Sequence, residues 1–160
     1  MNDITKKINF NDLIKKLFHD KKWENRAEAA RKLGYLKDGK AVNLMCRALN
    51  KEKDYVVINH IIEALGKIKN PKAVKDILNI FEEELKKPLD KFRIKIIIES
   101  LTKIKDKRCL SYIGILLNSE DPELKKLTKK AFNAILPNWF EIIKEKKENL
   151  SFSKIFDFKL

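Results

Sequence analysis

His60 and Glu63 stand three residues apart in His60-Ile61-Ile62-Glu63, a spacing that sets an imidazole and a carboxylate one turn apart on a helix. Such a pair could offer two metal ligands, although the spacing is not that of a zincin. A zinc site requires more ligands, and the only other histidine, His19, is remote in sequence. Neither histidine has a serine or cysteine neighbour that would mark a nucleophile. With only 4 glycines in the chain, no phosphate-cradling loop can be built. Cys46 and Cys109 fall on apolar helix faces and read as small core residues, and Glu82-Glu83-Glu84 reads as a solvated helix face. The residues therefore assign no catalytic group, no metal ligand and no cofactor, and the chain reads as non-enzymatic.

Charge is the more informative chemistry. Thirty-six Lys and Arg oppose 23 Asp and Glu, a net charge of +13, which points to an anionic partner or to a compositional bias toward lysine. The cations are not scattered. Taking Leu33, Leu65 and Leu101 as origins, Lys37, Lys69 and Lys105 stand four residues on, and Lys40, Lys72 and Arg108 seven residues on. Lys67 and Lys103 add charge two residues on in the second and third sets.

Those columns exist because the chain repeats. Ala30-Arg31-Lys32-Leu33-Gly34-Tyr35-Leu36, Ile62-Glu63-Ala64-Leu65-Gly66-Lys67-Ile68 and Ile98-Glu99-Ser100-Leu101-Thr102-Lys103-Ile104 share one pattern. A period of this size marks stacked supersecondary units, none of which can bury its apolar face alone. Apolar spacings of three and four predict a first helix over 24–36, 54–68 and 90–104. Lys37-Asp38-Gly39, Lys69-Asn70-Pro71 and Lys105-Asp106-Lys107 then turn the chain into a second helix. Its apolar stripes are Ala41, Val42, Met45, Cys46, Leu49, then Ala73, Val74, Ile77, Leu78, Phe81, then Cys109, Leu110, Ile113, Leu117. Gly114, in the stripe of Cys46 and Leu78, predicts a close approach of helices there.

The pattern extends both ways. Leu13, Ile14 and Leu17 predict a lone second helix at the N-terminus, and Asp121-Pro122 starts a further first helix carrying Leu124, Thr128, Ala131, Phe132 and Ile135. The reading is a single all-α domain over 1–160, an α-solenoid of about four hairpins. It divides into a half-repeat over 11–22, full repeats over 23–53, 54–89 and 90–120, a C-terminal repeat over 121–150 and an aromatic tail over 151–160. Four extra residues in the second connection read as a lengthened helix end and loop, and the tail is expected to fold back over the last repeat. No apolar run reaches the roughly 20 residues of a membrane span, and the start lacks a signal-like segment, which predicts a cytoplasmic chain.

The stretch from Arg26 to Val42, with Asn70-Pro71-Lys72-Ala73-Val74, resembles the HEAT repeat, in particular the short subclass named after phycobilisome lyases. The likeness covers about 11–136; Thr102 and Asn133 depart from it where Gly34 and Gly66 stand. The motif consists of packing and turn residues, so the resemblance implies architecture and a protein-binding scaffold, with second helices as the contact face. Leu44, Arg47, Tyr112 and Ile115 would lie on that face. The leading expectation is therefore a protein partner. The alternative is nucleic acid held along a basic rim of Lys37, Lys40, Lys69, Lys72, Lys105 and Arg108, and a weaker one is a HEAT-like enzyme such as a bilin lyase or base glycosylase. The residues leave oligomeric state open.

Overall fold

A computed structural model describes residues 9–146 and 151–158, and among these every regular element is helical. The elements are α1 (Phe10–His19), α2 (Trp23–Leu36), α3 (Val42–Leu49), α4 (Tyr55–Ile68), α5 (Val74–Leu85), α6 (Lys91–Ile104), α7 (Leu110–Ile113), α8 (Pro122–Ile135), α9 (Trp139–Glu145) and α10 (Phe152–Ile155). Short 3-10 turns, Gly39–Ala41, Pro71–Ala73 and Lys107–Cys109, join α2 to α3, α4 to α5 and α6 to α7. No helix is long and apolar enough to cross a membrane among the described residues.

The first helices are all 14 residues long and start on side-chain caps wherever a short acid is available. Asp54 accepts the Val56 and Val57 amides at 2.9 and 3.2 Å, and Asp121 those of Glu123 and Leu124 at 2.9 and 3.1 Å, directly ahead of Pro122. Helices α2, α4, α6 and α8 pack in series as one layer, and α1, α3, α5 and α7 lie along one side of it. The anchors Leu33, Leu65 and Leu101 are fully buried between the layers, as are Met45, Ile77, Phe81 and Ile113.

Glycine decides how closely the first layer packs. A Cβ on Gly34 would lie 2.8 Å from Ala64 Cα, and one on Gly66 2.8 Å from Ser100 Cα. In the other layer the chain does not run on as one continuous helix through Gly114, where a close approach is expected. Gly114 instead ends α7 after four residues, and the chain tightens into the 3-10 stretch Gly114–Asn118, which buries Leu116 and Leu117. Glycine's weak helix propensity accounts for a break at this point. The column ends at Thr102, whose hydroxyl donates to the Ile98 carbonyl at 2.6 Å. A side chain now stands where glycine stood, α6 and α8 pack more loosely, and a groove of about 230 Å³ opens between them.

At the C-terminal end, α10 lies on α7 and Gly114–Asn118, taking the place a second-layer helix would occupy. Phe156 is fully buried, its ring 5.3 Å from that of Phe132 at 76°, and Trp139 meets Phe132 from another side at 5.2 Å. Edge-to-face contacts of this kind suit aromatic quadrupoles and seal an otherwise open apolar end. By contrast α9 has no fully buried residue, and Phe140 is half exposed.

Candidate functional site

Three turns of one geometry form a continuous edge of the molecule. Each first helix ends on a lysine in the left-handed region: Lys37 at φ 50°, Lys69 at 60° and Lys105 at 59°. These are the only positive-φ residues among those described, and none of the glycines shares that conformation. The reversal exposes the next residue as a cap. Asp38, Asn70 and Asp106 accept the amides of Lys40, Lys72 and Arg108 at 2.9, 3.0 and 3.0 Å, starting the 3-10 turn that leads into the second helix. Adjacent turns touch. A Cβ on Gly39 would lie 3.9 Å from Asn70 Nδ2, and the Arg108 guanidinium reaches the Pro71 carbonyl at 3.5 Å.

Lys37, Lys40, Lys69, Lys72 and Lys105 all project from this edge and are exposed. Arg108 differs from the other rim residues. It is half-buried and clasps Asp106 through Nε at 2.9 Å, with a second, closer contact through Nη2. That guanidinium holds the Asp106 carboxyl below its usual range. The three segments 37–42, 69–74 and 105–110 carry seven cations against two carboxylates, one of them neutralised by Arg108. Just behind the edge, Lys67 Nζ lies 4.2 Å above the exposed Tyr35 ring, with the Arg31 guanidinium 5.5 Å away.

The opposite edge, where one repeat hands over to the next, consumes the acids. Arg26 on α2 grips Glu52 at 2.8 Å while donating to the Asp20 and Lys21 carbonyls. Lys91 binds Asp121 and Glu123 at 2.9 and 2.7 Å, and Lys95 also pairs with Glu123. Between them lies a buried network: Glu84 meets Arg93 at 3.1 Å and Lys87 at 2.9 Å, and Arg93 reaches Asn59 at 3.1 Å and covers the Tyr55 ring at 4.4 Å. Glu84 is therefore no solvated helix residue, as its neighbours suggested. The longer α5 carries it under the connection to α6, where it is only 3 % exposed. Sequence reasoning missed this pair because Glu82 and Glu83 beside it do face solvent.

The remaining candidate groups are dispersed. His60 Nδ1 lies 3.3 Å from Glu63 Oε2 in poor hydrogen-bonding geometry, and His60 borders a shallow cavity of about 240 Å³ with Trp23, Glu24, Ala27, Glu28 and Arg31. No group of three His, Cys, Asp or Glu is placed to hold a metal among the described residues. Both thiols are free and buried, and burial pushes each up to about 12. On the second-helix face, Arg47 and Ile115 are exposed, whereas Leu44 is half-buried and Tyr112 packs against the core. The α6–α8 groove, lined by Glu99, Thr102, Lys103, Leu127, Lys130 and Ala131, has one sequence signal: a threonine in a glycine column.

Residues 10–87, covering α1 to α5, match the family profile described as HEAT repeats. The segment from α1 to α5 is built of HEAT repeats. This places the paired helices and the Lys-Asp/Asn turns in a known architecture, the α-solenoid. Among solved structures, the chain is similar to phycocyanin lyase from Nostoc sp. PCC7120, determined as a complex of CpcE and CpcF. The TM-score is 0.67 at 16% identity, over 92% of this chain. The match spans 61% of that lyase chain, and the likeness is one of fold. No curated protein matches the sequence significantly.

Proposed function

We propose that this chain is a non-catalytic scaffold that binds a protein partner, steered by the basic turn edge. The observation that carries it is the segregation of charge: carboxylates are tied into the handover edge, and cations are left in a row on the other. A one-sided field of this kind raises association rates and orients a partner before contact. The resemblance in fold to a chain of the CpcE–CpcF complex supports a protein partner in the same sense. Affinity capture from native extract, run with and without nuclease, tests the reading. A protein should be retained, and the charge reversals Lys37→Glu, Lys69→Glu and Lys105→Glu together should weaken its retention. Recovery of nucleic acid alone, abolished by nuclease, would reject the scaffold.

A second reading has one specific observation behind it. Tyr35 is 59% exposed, next to the edge and flanked by Lys67 and Arg31, an arrangement on which a base of a single strand could stack. Under this reading the salt dependence of RNA or DNA binding should flatten when the three lysines are reversed, because fewer counterions are released.

A further inference from the structure

The backbone at Lys37, Lys69 and Lys105 costs free energy that glycine in the same place would not. A side chain in the left-handed region crowds the backbone, which is why helices so commonly end on glycine there. Here the glycines are used inside the helix layer, at Gly34 and Gly66, and lysine takes the left-handed position in all three turns. Backbone strain repeated at equivalent sites of one exposed edge is a pointer to function.

We infer that Lys37, Lys69 and Lys105 are three anchors of one docking site, and that its occupant is an acidic helical segment of a partner protein. This rests on the scaffold reading above and adds where the partner sits and what chemistry it presents. Successive anchors follow the spacing of packed first helices, roughly 8–10 Å. Two turns of an α-helix rise about 10.5 Å, so carboxylates at i, i+7 and i+14 fall on one face at nearly the anchor spacing. An extended strand covers the same distance in about three residues but turns alternate side chains away. Carboxylates fit the edge better than a continuous phosphate chain does. Asp38 and Asp106 interrupt the row, and Arg108 already belongs to Asp106, so the cations are spaced points rather than an unbroken track.

The edge can be tested without endangering the fold, because glycine suits the anchor conformation. The triple variant Lys37→Gly, Lys69→Gly, Lys105→Gly is compared with Lys15→Ala, Lys51→Ala, Lys129→Ala, which removes as many charges from exposed sites on other parts of the surface. Probes are a labelled helical peptide with Glu at i, i+7 and i+14, a peptide of the same composition with the three acids adjacent, and single-stranded RNA of equal charge, read by fluorescence anisotropy. The expected result is preference for the spaced peptide, a tenfold or greater loss in the glycine variant, and less than a twofold loss in the control variant. Equal losses in both variants would overturn the docking site and reduce it to net charge. Peptide binding that ignores the glycine changes would move the partner elsewhere and leave the scaffold standing. Tight RNA binding lost in the glycine variant, with no peptide bound, would overturn the site and the scaffold together.

Discussion

Replacing Gly66 by Ala should destabilise the protein, although alanine is the better helix former. The added Cβ would lie 2.8 Å from both Cα and Cβ of Ser100, and 2.9 Å from its Oγ. Carbon atoms at rest stand about 3.5–4.0 Å apart, so α4 and α6 must separate by roughly 0.7–1.2 Å. No rotamer change relieves this, because the obstacle includes backbone. Overpacking of this kind costs up to about 3 kcal/mol, and the helix-propensity gain returns about 1 kcal/mol. A net loss of about 2 kcal/mol follows, and for a chain of this size the Tm should fall by about 4–8 °C. Thermal and urea unfolding followed by far-UV circular dichroism would measure it. Gly39→Ala is the internal control, since its Cβ would meet nothing closer than 3.9 Å, and it should stay within about 0.5 kcal/mol of the parent. A Gly66→Ala protein as stable as the parent would refute the argument that glycine sets the spacing of the first layer.

Lys69→Gly should raise stability by about 0.5–1 kcal/mol by removing left-handed strain, while Lys69→Val should lower it; paired urea midpoints decide. Arg93→Ala strands the buried Glu84 carboxylate with Lys87 alone, at a cost of about 3 kcal/mol, and the pair Glu84→Leu, Arg93→Met should recover most of it in equilibrium unfolding. The Asp106 carboxyl is held low by Arg108, so its contribution is present above the ordinary carboxylate range and is lost as pH falls through its folded value. Arg108→Ala should therefore reduce the acid-dependent part of stability below about pH 4, measured as urea midpoint against pH. Cys46 and Cys109, buried and raised to about 12, should resist thiol reagents in the native protein and react fully once it is unfolded.

Much of the scaffold was legible in the residues because its cause is local. The 3.6-residue periodicity around Leu33, Leu65 and Leu101 places the first helices within a residue of 23–36, 55–68 and 91–104. Asp121-Pro122 marks the start of α8 for the same reason: a cap and a fixed φ act within a few residues. The 3-10 break at Gly114 was not legible, because glycine serves close packing and helix interruption alike. Glu84 was misread because burial depends on what crosses above it.

The helices, their pairing into hairpins and the columns of lysine follow from periodicity and turn chemistry carried by adjacent residues. Stacking of the hairpins is what makes Gly34 and Gly66 set the helix spacing, opens a groove at Thr102, and brings Glu52 and Glu123 to their cations at the handover edge. Steric contact and ion pairing are governed by distance in space, and residues 26 to 34 positions apart become neighbours only when the hairpins stack.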